Sequence, residues 1–302
     1  MRLWLGLGCL SVGLSLAVGC TPYAERDEDD DGLLNGEEEA AGTQIDVADT
    51  DGDGLLDGEE RDFGSDPLSA DTDSDGVADN DEKSLGTDPV AADSDGDGYR
   101  DGDELAEDSD PTDADDKIYA GGWPYYADKD TIADPGTDTK AAVGAILARM
   151  KFPDQFGDEA DIYDFAMQGR PVVIDVSGVW CYWCHQVAAF LDRKENYFET
   201  DNRYDKYAEL PDMLEAGEFS WVTILDSNAS GGDVTAADVE DWYADYPNPA
   251  IPVLLDVERE STNYFKPRGF PYIILVEEDM TISIIPAAYT KVWDELLARH
   301  EG

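Results

Sequence analysis

The chain has 302 residues, with 71 Asp plus Glu against 20 Lys plus Arg, a formal net charge of -51, 4 Cys and 2 His. That balance excludes a protein that binds nucleic acid by neutralising phosphates, and it argues against docking on anionic lipid. At 42% apolar the chain is too hydrophobic to be disordered throughout, and it is too long for one average domain, so two regions with different physics are expected.

The first segment reads as a targeting signal. Met1-Arg2 gives a short positive start and Leu3 to Val18 an apolar run, so residues 1–19 are read as a signal peptide and excluded from the fold. The run ends Leu16-Ala17-Val18-Gly19-Cys20, which resembles the lipobox of bacterial lipoproteins, with Ala17 where that motif usually has Leu. The resemblance implies acylation of Cys20, a tether over residues 20–26 and, with Thr21 next, an outer-membrane lipoprotein facing periplasm or cell surface. An acyl anchor holds a protein on the membrane without a spanning helix. An ordinary secretory signal or an anchor helix is the alternative.

From Glu25 to Asp116 there are 37 acidic residues against 4 basic ones and almost no aromatics. Such a segment cannot bury a core, so it is disordered unless something else orders it. Its sequence repeats at a period of 22. Four twelve-residue copies start at Asp27, Asp49, Asp71 and Asp93: DEDDDGLLNGEE, DTDGDGLLDGEE, DTDSDGVADNDE and DSDGDGYRDGDE. Carboxylates stand at positions 1, 3 and 5, Gly at 6, Asp or Asn at 9 and Glu at 12, the ligand positions of an EF-hand-like calcium loop. The candidate ligands are Asp27, Asp29, Asp31, Asn35 and Glu38; Asp49, Asp51, Asp53, Asp57 and Glu60; Asp71, Asp73, Asp75, Asp79 and Glu82; Asp93, Asp95, Asp97, Asp101 and Glu104. Oxygen ligands in this number suit a hard cation, and the region has no Cys or His for zinc or copper.

Between loops, Gly64-Ser65-Asp66-Pro67 and Gly86-Thr87-Asp88-Pro89 recur, with Asp108-Ser109-Asp110-Pro111 and a degenerate Gly42-Thr43-Gln44-Ile45. Each Gly is placed to cap a short helix following the loop's final Glu, and Pro stops continuation, so one or two helical turns are expected. Residues 27–114 resemble the bacterial form of thrombospondin type 3 repeats, which implies a stalk organised around structural Ca²⁺. The alternative is a solvated acidic linker with diffusely bound cations.

Residues 115–149 are expected to be a linker with a lead-in helix, and residues 150–302 a domain with a core. Val172 to Val176 is a β-branched run of the kind found in a buried parallel strand. It leads to Val179-Trp180-Cys181-Tyr182-Trp183-Cys184-His185 and then to helical spacing over Gln186 to Asn196, with Val187, Phe190 and Leu191 on one side. A CxxC at a strand-to-helix junction is a redox arrangement, because the helix N-terminus favours the first thiolate and lowers its pKa from the free value of about 8.5. Cys9 leaves with the signal and Cys20 is lipidated, so Cys181 and Cys184 are the thiols left for chemistry. CxxCH is also the haem c attachment sequence with His185 as axial ligand; a zinc site and a purely structural pair are further alternatives.

The strand and CxxC resemble the active-site segment of thioredoxin-like proteins. Phe152 to Phe165 resembles the N-terminal hairpin of the TlpA-like and peroxiredoxin-like branch. Trp221–Leu225 reads as a strand, Thr235–Tyr246 as a helix and Ile251–Leu255 as a further strand, the unit this branch adds. Gly269-Phe270-Pro271-Tyr272 falls where the superfamily has its cis-proline. The resemblance implies an α/β thioredoxin-like fold with a central mixed sheet flanked by helices. It implies Cys181 as nucleophile, Cys184 as resolving thiol, Asp175 as a buried acid that moves the second thiol's proton, and Pro271 as a substrate-pairing edge. Trp180, Tyr182, Trp183 and Phe270 form an apolar rim for a protein thiol or disulfide. The sum is an exported, lipid-anchored thiol-disulfide oxidoreductase on a calcium-ordered stalk, working through the Cys181–Cys184 disulfide without an organic cofactor. Its partners are protein thiols and disulfides of the envelope and a partner reductase or oxidase, with no nucleic acid and membrane contact through the anchor alone. A non-enzymatic adhesion or assembly lipoprotein and a c-type haem protein are the competing classes.

Overall fold

A computed structural model describes residues 22–194, 198, 201–285, 288 and 290–301. The signal segment, Cys9 and the Cys20 lipidation site lie outside the described residues. The chain divides into two compact units, residues 1–94 and 95–302. The division falls inside the fourth loop, well before the expected boundary at residue 114.

In the first unit each loop runs into a seven-residue helix: α1 (Asn35–Ala41), α2 (Asp57–Phe63) and α3 (Asp79–Leu85). Gly42, Gly64 and Gly86 end them in the left-handed region at φ 94, 103 and 92°, where a side chain is strained, and their N–H groups close back on the Glu38, Glu60 and Glu82 carbonyls. The length matches expectation; the start does not. Each helix begins at loop position 9, so the final Glu sits inside it instead of preceding it. Acidic residues fill the first turn, where the helix dipole favours negative charge. The position 7 side chains Leu33, Leu55 and Val77 are the buried apolar side chains among the described residues of this unit.

The second unit begins with α4 (Asp101–Ala106). At its loop position 7 stands Tyr99, whose ring joins the domain core and whose hydroxyl donates to the Trp123 carbonyl at 2.7 Å. This aromatic, in place of Leu or Val, gives the end of the fourth repeat to the domain. Residues 115–149 contain a 3-10 turn, Ala127–Thr131, and no α-helix, so the expected lead-in helix is absent. Nor is the segment a linker. Tyr119, Trp123, Leu147 and Ala148 are core residues, and Gly144 at φ 84° breaks the Ala-rich stretch that invites a helix.

A hairpin, β1 (Lys151–Pro153) with β2 (Glu159–Asp161), precedes a five-stranded mixed sheet. Its strands are β3 (Val172–Gly178), β4 (Ser220–Ser227), β5 (Val253–Leu255), β6 (Tyr272–Val276) and β7 (Ile282–Ile284), in the order β5-β4-β3-β6-β7. β3 is parallel to β4 and β4 to β5, while β6 is antiparallel to both β3 and β7. Alternation along β3 sends Val172, Ile174 and Val176 to one core with Tyr163 and Tyr264, and Val173 to another. That second core is completed by Val187, Phe190 and Leu191 of α5 (Tyr182–Leu191) and by Val292, Trp293 and Leu296 of α9 (Thr290–His300). α6 (Leu210–Glu215), α7 (Ala236–Asp245) and α8 (Glu260–Phe265) complete the helices. Thr235 caps α7 reciprocally with Asp238. With both faces covered, the domain is an α/β fold of thioredoxin-like topology.

Candidate functional site

β3 leads to the CxxC at the end of the sheet, and α5 starts within the motif, directly after Cys181. Cys181 is the N-cap of α5, and the Cys184 N–H donates to Cys181 Sγ at 3.1 Å. This N–H is shared with the Cys181 carbonyl at 3.1 Å; a helix-terminal N–H aimed at sulfur, reinforced by the dipole, stabilises negative charge on that atom. The two sulfurs are bonded to each other, with Cα atoms 5.2 Å apart. Both cysteines are buried, Cys181 at 4% exposure against 1% for Cys184, so the first is the more approachable. They sit in one apolar cluster with Leu225, Val239, Trp242 and Phe270.

The Phe270–Pro271 peptide bond is cis, as the sequence resemblance implies. The four rim aromatics separate into two pairs. Trp180 stands 5.9 Å from Phe270 between ring centroids, while Tyr182 packs edge-on against Trp183 at 5.3 Å. Trp180, Tyr182 and Trp183 are each 40% exposed or more, an unusual density of exposed aromatic surface around a disulfide.

Trp180 is held by a network that sequence reasoning missed. Its indole N–H donates to Ser227 Oγ (2.9 Å), Ser227 donates to Asp226 Oδ1 (2.7 Å), and Thr262 donates to Asp226 Oδ2 (2.5 Å). Asp226 and Ser227 end β4, and their sequence signal was only a polar tail on an apolar strand. Together with Arg259, Arg268 and Phe270 these residues line a groove beside the cis-proline.

Asp175 lies mid-strand on β3, paired in register with Thr223 and Ile273, and is 3% exposed. Burial pushes its carboxyl up to about 7, against the pull of one hydrogen bond from Ser177 Oγ at 2.9 Å. It faces a small cavity shared with Val187 and Ala188, one turn along α5 from Cys184. His185 bonds through Nε2 to the Val179 carbonyl (2.7 Å) and through Nδ1 to the Tyr246 hydroxyl (2.9 Å), its ring packed on Trp242. The carbonyl accepts only, so Nε2 carries the proton and Nδ1 accepts from Tyr246. Neither nitrogen is left for an axial bond to haem in this arrangement.

In the first unit the loop carboxylates converge. Asp27, Asp29 and Asp31 form one group, Asp49, Asp51 and Asp53 a second, and Asp71, Asp73 and Asp75 a third, with oxygens within 4.8 Å of one another in each. The position 12 residues Glu38, Glu60 and Glu82 are fully buried. Asn35, Asp57 and Asp79, at position 9, are fully buried as well. The latter two are gripped by their loops' second residues. Thr50 donates through N–H and Oγ to the two Asp57 oxygens, and Thr72 does the same to Asp79.

Within the chain, residues 49–70, 71–92 and 93–114 each match the model of the bacterial TSP3 repeat. The degenerate copy at 27–48 precedes the matched span. Whether the TSP3 loops fit calcium is decided by their unsatisfied oxygens. Both carboxylate oxygens of Asp29 and of Glu38, and single oxygens of Asp31, Asp51, Glu60 and Glu82, are buried without a hydrogen-bond donor. Burial and facing carboxylates push Glu38 up to about 7, and Glu60 and Glu82 up to about 8. Buried acceptors with no donor, all oxygen, are the donor set that a hard divalent cation satisfies.

The sequence matches no curated protein. Among solved structures, the domain resembles a thioredoxin-like protein from Bacteroides caccae at 9% identity and TM-score 0.40, covering 54% of this chain and 51% of that one. The chain thus spans about half the length of that relative. It also resembles the thioredoxin domain of a thiol-disulfide oxidoreductase from Bacteroides vulgatus (20% identity, TM-score 0.37, 52% of this chain and 99% of that one). A third is a thiol:disulfide interchange protein from a Bacteroides species (18%, 0.39, 54% and 93%). The thioredoxin-like assignment rests on the strand order, the CxxC at the start of α5 and the cis-proline.

Proposed function

We propose that the protein is an exported thiol-disulfide oxidoreductase, lipid-anchored through Cys20 in the cell envelope and carried on a calcium-bound repeat stalk. The observation that carries the reading is the Cys181–Cys184 pair at the N-terminus of α5, with a helix N–H on the first sulfur and the cis-proline following Phe270 of the same cluster. In the reduced enzyme the Cys181 thiolate attacks one sulfur of a substrate disulfide. A mixed disulfide forms and one substrate thiolate leaves. Cys184 then gives its proton to Asp175, whose raised pKa suits a proton acceptor near neutrality, and attacks Cys181 Sγ. The mixed disulfide breaks, the second substrate thiol leaves, and two electrons have passed from the cysteine pair to the substrate. Run backwards, the same steps oxidise a dithiol.

The exposed aromatics and the backbone edge before Pro271 supply an apolar, extended-chain surface, which suits a protein substrate. For the repeats, calcium is held by loop carboxylates and acts structurally. Among the described residues no helix is long and apolar enough to cross a membrane, and the acyl chain on Cys20 supplies the attachment. Reduction of insulin by the full chain, with dithiothreitol as electron source, tests the catalytic reading. Wild type should accelerate it, and Cys181→Ala should lose at least about a thousandfold of the enhancement. An inactive wild type, or a fully active Cys181→Ala, overturns it.

A further inference from the structure

The position 9 carboxylate of the second repeat does not stand alone in its own loop. Asp57 lies with Asp31 and Glu38 of the first repeat, one oxygen from each within 4.8 Å of the others, all three residues buried. Glu38 brings two donorless oxygens to this group and Asp31 one. The backbone shows the same approach. A Cβ placed on Gly58 would overlap the Asp31 carbonyl oxygen, so the start of α2 packs directly onto the first loop. At the next joint, the Asn80 N–H donates to Asp53 Oδ2 at 2.9 Å, so the start of α3 likewise packs onto the second loop.

We propose that the joint between the first two repeats is itself a divalent-cation site, in which Asp57 closes the site of Asp31 and Glu38. The ion fastens one repeat to the next. Position 9 of the second loop thereby serves its predecessor, and the threonine at position 2 aims it: the Thr50 hydroxyl accepts from the Gln44 N–H and donates to Asp57, as Thr72 accepts from Asp66 and donates to Asp79. In the first copy position 9 is the neutral Asn35, which donates to Glu28 of its own loop instead. The inference rests on the calcium reading of the repeats and adds to it which repeat Asp57 serves.

Hydrogen exchange of the full chain with and without Ca²⁺ tests it, comparing wild type, Asp57→Asn and, as a reference for loss of the first site, Glu38→Gln. In wild type, calcium should protect amides of residues 27–38. Asp57→Asn should weaken that protection as Glu38→Gln does, raising the calcium concentration needed by at least about tenfold. Unchanged protection of 27–38 in Asp57→Asn overturns the inference, whether or not residues 49–60 change. Absence of calcium-dependent protection in wild type overturns the calcium reading itself. Since Asn preserves the shape of Asp, and exchange in the second unit reports on the rest of the chain, a general folding failure shows as lost protection in both units.

Discussion

Both units of this protein bury carboxylates, and they do so in opposite ways. In the second unit, past the fourth repeat, the buried acids among the described residues have donors. Asp164 accepts from Tyr119, Lys129 and the Tyr126 N–H, Asp161 from Arg149 and the Tyr163 N–H, and Asp256 from Ser261 and the Glu260 N–H. These acids sit at the edges of an apolar core and are satisfied by the protein. In the first unit the buried acids face one another, and Glu38 has no donor at all. A set of like charges that the polypeptide leaves unsatisfied is destabilising until a cation joins it. The contrast separates a unit ordered by hydrophobic burial from one whose buried carboxylates call for a cation.

The sharpest way to break this comparison is to remove the charge that calls for the ion. Glu38→Gln, Glu60→Gln and Glu82→Gln combined should abolish the calcium-induced gain of helix in the repeats, read by circular dichroism, while thiol exchange by the domain is untouched. If the triple variant still gains helix with calcium, the buried glutamates are not the ordering groups.

Next in size is Asp175, the acid of the second unit that most resembles the first, with one hydrogen bond against full burial. Its native carboxyl keeps a proton up to about pH 7, whereas the unfolded chain releases it near 4. Between those values the native state holds more protons, so the term costs stability progressively as pH rises. Asp175→Asn should remove that slope and be more stable than wild type by about 3–4 kcal/mol at pH 8, with little difference at pH 4. Denaturant unfolding at the two pH values reads it; equal stabilities at pH 8 would refute the buried, uncompensated acid.

Smaller effects follow at two contacts. Gly58→Ala forces the first two repeats apart at the Asp31 carbonyl and should cost about 1–3 kcal/mol of calcium-loaded repeat stability, seen as a lower midpoint of that transition alone. Ser227→Ala breaks the bond that holds the Trp180 indole. The rate of disulfide exchange should fall by severalfold, about 1 kcal/mol, without loss of the fold; a rate equal to wild type would show that Trp180 needs no such support.

The sequence carried most of this in one kind of signal. Fixed spacings, such as Asp-x-Asp-x-Asp-Gly every 22 residues, CxxC after a β-branched run and Phe-Pro before a strand, encode local geometry, and the loops, α5 and the cis bond follow them. What was not legible is what depends on neighbours distant in sequence. Nothing in a single loop says that Asp57 lies beside the preceding loop's Glu38, because that follows from how α2 packs, with Gly58 permitting the approach. The lead-in helix expected over residues 115–149 failed for the same reason. Local composition favours a helix there, and burial of Tyr119, Trp123 and Leu147 in the domain overrides it. The Asp226–Ser227–Trp180 chain joins residues 47 apart and has no spacing to read.

Differential scanning calorimetry of the full chain, repeated across a calcium titration, addresses the central claim most directly. Two transitions are expected: one that moves to higher temperature as calcium rises and vanishes with chelator, and one from the thioredoxin-like domain that stays in place. A calcium-insensitive thermogram, or a single transition in which the domain shifts together with the repeats, would contradict the account.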